Sequence, residues 1–143
     1  MKHKLFSTTV ILLLSVVMAL PVLANTSYWS LTLDYRIVDG DKNSVYHDLT
    51  SGTMTISGNI YPYSLDGGHN PSPAPVTFSV YKSVFGFDPF AGSTTVTPYS
   101  TLNSSKYFNA NLGSETAGKY YLQVYKVEDD GWNEKGSGTL VTK

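Results

Sequence analysis

A chain of 143 residues carries ten basic and eleven acidic side chains, a net charge of −1, and no cysteine. That balance leaves no basic patch for nucleic acid or an anionic membrane surface. The missing thiols exclude disulfides, so packing and sheet hydrogen bonds alone must hold the fold, and eleven Tyr and six Phe favour strands over helices.

Lys2 and Lys4 precede an apolar run from Val10 to Leu20, followed by Val22 and Ala24 at the positions where cleavage needs small residues. This order is that of a secretory signal peptide over residues 1–24, with cleavage expected before Asn25. The apolar run is too short for a membrane span, and no transmembrane segment is expected in the mature chain. Loss of Lys2 and Lys4 leaves eight basic residues against eleven acidic. The expectation is one exported domain over residues 25–143, secreted or extracellular. A cysteine-free exported domain of this kind suggests a bacterial source, without a lipid anchor at Asn25 or a hydrophobic anchor at Leu140–Lys143.

From Trp29 onward the residues alternate. Trp29, Leu31, Leu33, Tyr35 and Ile37 fall on one side, and Ser30, Thr32, Asp34 and Arg36 on the other. That is the pattern of one half-buried antiparallel strand over 29–37. Asp39-Gly40-Asp41-Lys42-Asn43 reads as a turn, and 45–49 as a short edge strand. Alternation returns over 53–61 with Met54, Ile56 and Ile60 inward, and Gly58 marks a bulge or a close backbone approach. Residues 62–75 hold four Pro and two Gly and read as a long loop. A strand over 76–84 places Val76, Phe78 and Val80 on one face. An aromatic loop and a short strand over 94–97 follow. Strands over 106–112, with Phe108, Ala110 and Leu112 inward, over 119–127 and over 138–142 complete the chain. Asp129-Asp130-Gly131 suggests a hairpin-like connection between the last two. No helix and no internal repeat is apparent. The whole is an all-β fold, an immunoglobulin-like antiparallel β-sandwich of seven to eight strands, with a small β-barrel as the alternative.

Glu115-Thr116-Ala117-Gly118-Lys119-Tyr120-Tyr121-Leu122-Gln123-Val124 resembles the start of the penultimate strand in bacterial immunoglobulin-like and pre-peptidase C-terminal-type domains. The resemblance covers about ten residues and implies a fold, not an activity. It implies that Tyr120 is a corner tyrosine bonded back to the preceding loop, and that Gly118 permits a tight turn.

Catalytic patterns are absent. His47 and His69 follow neither HxH nor HExxH spacing and read as surface or turn residues. The three glutamates, Glu115, Glu128 and Glu134, fall in turns rather than facing across a cleft, and no Ser lies in a GxSxG setting. Two acidic turns, 39–43 and 128–134, offer oxygen ligands for calcium but lack EF-hand spacing; hairpin turns, which suit Asp, Asn and Gly, are the favoured reading. No cofactor or metal is expected.

Binding is the remaining reading. Val84-Phe85-Gly86-Phe87-Asp88-Pro89-Phe90 puts three Phe in a segment that Gly and Pro keep from being a regular strand. Either Phe85, Phe87 and Phe90 are exposed as a patch for a partner, or the loop folds back to cap the sandwich. Tyr61, Tyr63, Tyr81, Tyr99 and Trp132 offer a sugar-stacking face. The sequence thus points to a secreted, non-enzymatic binding or structural surface protein, its partner a protein or a cell-surface glycan. A carbohydrate-binding module and a small membrane-active or toxin-like protein are the alternatives. Low positive charge disfavours the last.

Overall fold

Alternating side chains build nine strands over the residues that the computed structural model describes, 24–143. The expected leader lies outside the described residues apart from Ala24. The strands are β1 (Asn25–Leu33), β2 (Ile37–Asp39), β3 (His47–Leu49), β4 (Gly52–Leu65), β5 (Val76–Lys82), β6 (Phe90–Val96), β7 (Lys106–Glu115), β8 (Gly118–Tyr125) and β9 (Trp132–Thr142). One sheet runs β1-β9-β4-β7, the other β2-β8-β5-β6, with β3 also on β8. Every pairing is antiparallel. The fold is therefore the expected β-sandwich, with nine strands among the described residues where seven to eight were expected. Among the described residues no helix is long and apolar enough to cross a membrane.

The inner faces follow the period of two. Leu33, Met54, Ile56, Ile60, Val76, Phe78, Val80, Phe108, Tyr120, Val124 and Leu140 form one core. Trp29 sits at its centre, with ring centroids 5.4 Å from Phe78 and 5.9 Å from Phe108. Its indole lies where three glycines carry no side chain: a Cβ on Gly58, Gly136 or Gly138 would meet the ring. Gly58 thus serves the approach of a side chain, and the bulge in β4 pairing lies instead between Met54 and Thr55.

Four expectations change. The strand expected over 29–37 is two strands: the chain bends at Asp34–Arg36 and crosses from one sheet to the other, which leaves Tyr35 and Ile37 exposed. The loop expected from 62 is strand as far as Leu65. Pro62 is tolerated because β7 pairs only up to Ile60, so its missing N–H faces no ladder there. The stretch 126–131 is a crossing between sheets, because β8 and β9 belong to different sheets. Last, β9 starts at Trp132, six residues before the expected strand.

The corner tyrosine is present. Tyr120 donates its hydroxyl to the Thr116 carbonyl oxygen at 2.5 Å. Gly118 plays a different part from the one implied: its φ lies outside the left-handed region, and the stem of Lys82 occupies the space of its Cβ.

Candidate functional site

The loop between β5 and β6 is held rigidly from below. Val84 N–H donates to Asp88 Oδ1 at 2.9 Å, and the Tyr121 hydroxyl donates to Asp88 Oδ2 at 3.0 Å. At its base Lys82 N–H donates to the Pro89 carbonyl at 2.9 Å and Ser83 N–H to the Lys119 carbonyl at 2.8 Å. Gly86 turns the tip with φ +100°, a conformation that side chains rarely adopt. Asp88 therefore points inward as the anchor, and the phenylalanines take the outside. Phe85 is fully exposed and Phe87 is 90 % exposed. Of the two sequence alternatives, the exposed patch is the one observed. Keeping each ring in water forgoes about 2 kcal/mol of burial.

Phe90 opens β6 and joins the loop to the outer face of the β2-β8-β5-β6 sheet. Its ring meets Tyr81 edge-on at 5.5 Å, Tyr81 stacks on Tyr121 at 5.6 Å, and Tyr121 meets Tyr46 edge-on at 6.4 Å. Lys119 lies over Tyr46, 5.2 Å from the ring centroid. Burial, then the bond to Asp88, pushes the Tyr121 hydroxyl well above the ordinary phenol range, so it stays a donor. A row of rings thus runs across the sheet and ends at the Phe tip.

A second aromatic surface lies on the outer face of the β1-β9-β4-β7 sheet. Tyr28 and Tyr107, both largely exposed, flank an open groove of about 450 Å³ over Ser57, Asn59, Ser137 and Thr139. An adjoining groove shares Ser137 and continues past Thr32 to Tyr61 and Lys135. Lys135 lies over the Tyr63 ring at 4.4 Å, and the Tyr63 hydroxyl donates to Asp34. Together the grooves form a trough with a hydroxyl and amide floor and tyrosine walls.

The aromatic candidates therefore divide. Phe85, Phe87 and Phe90 share one loop, while Tyr61 lines the trough and Tyr63 stands beside it under Lys135. Trp132 belongs to neither: it is buried, donates Nε1–H to the Asn70 carbonyl at 2.8 Å, and packs its ring against His69. Tyr28 and Tyr107 were overlooked. The same alternation that buries Trp29 and Phe108 puts their neighbours outside.

His47 is buried rather than on the surface; its Nδ1 lies 2.8 Å from the Ser27 hydroxyl, and burial lowers its pKa. Among the described residues no group of three or more His, Asp or Glu could hold a metal ion. In the turn 128–134, Asp130 and Glu134 are buried against Lys126. In the turn 39–43, Asp39 Oδ1 accepts the Asp41 N–H at 3.0 Å.

No family model matches the chain, and no curated protein does either. Among solved structures, the carbohydrate-binding module CBM6cm-2 of Cellvibrio mixtus lichenase 5A, in complex with cellotriose, is similar at 10 % identity and TM-score 0.47. That likeness covers 83 % of this chain and 89 % of the module. TmCBM61 in complex with β-1,4-galactotriose is similar at 12 % identity and TM-score 0.45, over 84 % of this chain and 81 % of that one. A chain of infectious bursal disease virus, Gt strain, matches 83 % of this chain at 11 % identity and TM-score 0.47. This protein spans about a third of that viral chain, 32 %. At these identities the likeness is one of β-sandwich fold alone.

Proposed function

We propose that this is an exported, non-enzymatic binding protein whose contact with its partner centres on Phe85 and Phe87. One observation carries the reading: two phenylalanines stand in water on a loop that Asp88 pins from beneath. A loop fixed before contact loses little conformational entropy on binding, and aromatic anchors give the largest return there. The partner that suits such anchors is a protein offering apolar pockets. The test is retention of purified protein on cells and culture-medium proteins of its own source, against the Phe85→Ser/Phe87→Ser variant. Retention of the wild type alone, with both proteins melting together, is the expected result. Equal retention removes the loop from the function.

Export rests on the order of Lys2, Lys4, the apolar run and Ala24. N-terminal sequencing of the secreted protein should begin at Asn25.

A second reading has its own observation, the trough between Tyr28, Tyr107 and Tyr61. Tyrosine faces stack on sugar rings while Ser57, Asn59, Ser137 and Thr139 supply hydroxyl and amide partners. On this reading the ligand is a cell-surface glycan. Co-sedimentation with insoluble polysaccharides tests it, with Tyr107→Ala expected to release the protein. Binding that survives both Tyr107→Ala and Tyr28→Ala would exclude the trough.

A further inference from the structure

Where β8 gives way to the crossing, three ionisable side chains meet out of reach of water. Lys126, Asp130 and Glu134 have no exposed side-chain surface. Lys126 Nζ lies 2.6 Å from Asp130 Oδ1 and 3.1 Å from Glu134 Oε2, and it donates to the Trp132 carbonyl at 2.5 Å. Asp130 is gripped on both oxygens. Oδ1 also accepts the Trp132 N–H at 3.0 Å, and Oδ2 accepts the Ala74 N–H at 2.5 Å. Glu134 has no such grip: its partner is the Lys126 ammonium, 3.1 Å from Oε2, and no backbone N–H reaches either oxygen.

A buried ion pair seldom repays the desolvation of its charges, and a second carboxyl without backbone donors adds to that cost. The arrangement has the parts of an acyl condensation instead. An amine touches a carboxyl, backbone N–H groups stand at both carboxyl oxygens, and a second carboxyl, with no backbone donor of its own, adjoins the amine. We infer that Lys126 Nζ and Asp130 Cγ condense to an intramolecular amide, with Glu134 as the proton carrier.

The step balances without any co-reactant. Glu134 carries one proton from the Lys126 ammonium to Asp130 Oδ1, leaving a free amine beside a neutral carboxylic acid. The amine attacks Cγ, the N–C bond forms, and charge gathers on Oδ2 against the Ala74 N–H. Glu134 then moves a second proton from the nitrogen to Oδ1. The Cγ–Oδ1 bond breaks, one water leaves, and Oδ2 returns to a carbonyl oxygen. Nothing is oxidised or reduced. The product holds no buried ion once Glu134 is protonated, and the held geometry replaces an activating group. The bond closes the crossing from 126 to 130 and ties the end of β8 to the start of β9.

Intact mass and a tryptic map of the unfolded full chain test this. The expected result is a mass about 18 Da below that of the sequence, the mass of one water. Trypsin should fail to cut after Lys126, and the fragment should show Lys126 joined to Asp130. Glu134→Gln keeps the volume and the neutral form, and should restore both the full mass and the cut. Should that variant not fold, Lys126→Met must restore the full mass in its place. A wild-type protein of full mass, cut normally after Lys126, overturns the inference. So does a mass loss that hydroxylamine reverses while trypsin still cuts, because that is a succinimide at Asp130-Gly131. A bond that persists in Glu134→Gln overturns the part given to Glu134.

Discussion

The indole of Trp29 fills the space that a Cβ on Gly58 would need. Gly138, paired directly with Gly58 across β4 and β9, and Gly136, two residues before it, clear the rest of the seat. Neither Gly58 nor Gly138 has a left-handed φ, so crowding alone keeps them small.

Gly58→Ala should therefore destabilise the fold by roughly 1–3 kcal/mol through overpacking. Trp29→Ala should cost roughly 3–5 kcal/mol through the cavity it leaves. Combined, the two should cost less than their sum, since the methyl enters space the indole vacates. Urea unfolding of the single and double variants measures the coupling, and strict additivity would mean that the Ser137 carbonyl, which also lies in the way of that methyl, sets the cost.

The phenylalanine tip separates binding from stability. Phe87→Ser should leave the thermal midpoint nearly unchanged, because the ring is 90 % exposed. Asp88→Ala is the contrasting variant: it removes the acceptor of Val84 N–H and of the Tyr121 hydroxyl. Leaving a part-buried tyrosine hydroxyl without its acceptor should cost on the order of 1 kcal/mol. A midpoint lowered equally by both changes would put Phe87 in the core.

Period-two alternation made most of the sandwich legible. Met54, Ile56 and Ile60, Val76, Phe78 and Val80, and Phe108 all face the core as the pattern predicts. Alternation hid the corner at Asp34–Arg36, because Tyr35 and Ile37 continue the pattern while the backbone changes sheets. Composition misled at Pro62, where the missing ladder partner is a fact of pairing and not of the residue. It misled again over 126–134. The acidic residues of 128–134 read as turn residues, but Asp130 and Glu134 gather on Lys126 inside, and only tertiary placement brings that about. At the candidate sites the sequence could flag Phe85 and Phe87 but not the anchor Asp88, whose partner Tyr121 is distant in the chain.

The corner tyrosine gives a clean stability test. Tyr120→Phe removes the donor to the Thr116 carbonyl and should cost on the order of 1 kcal/mol. Gly118→Ala should be milder than a turn glycine would imply, because only the flexible end of Lys82 must move. Thermal midpoints of the two variants decide. A larger loss for Gly118→Ala than for Tyr120→Phe would mean that Lys82 is fixed over Gly118.

Glu134 should make stability fall as pH rises through the mildly acidic range. Burial pushes its carboxyl up to about 7, against the Lys126 ammonium that pulls it down; the ordinary value is 4.5. Between those values the folded chain keeps a proton that the unfolded chain releases. The contribution is therefore complete below pH 4.5 and is lost as pH climbs to about 7. A gap of that width corresponds to on the order of 3 kcal/mol. His47 opposes it, because burial lowers its pKa, so its contribution disappears as pH falls below 6.5. Asp130 acts further into acid: its burial is outweighed by the Ala74 N–H, Lys126 and the Trp132 N–H, which together hold it below 3.8. Between pH 4.5 and 7 the slope of the difference between wild type and Glu134→Gln follows this one group, since the Gln amide cannot ionise and Asp130 titrates below that range. That difference, from urea unfolding at half-unit steps, should shrink in the variant's favour from pH 4.5 to 7 and then level. Condensation of Lys126 would remove the cation that restrains the shift and carry the decline above pH 7. A difference that stays flat across the range would mean that Glu134 is ionised in the folded protein and that its carboxyl finds donors after all.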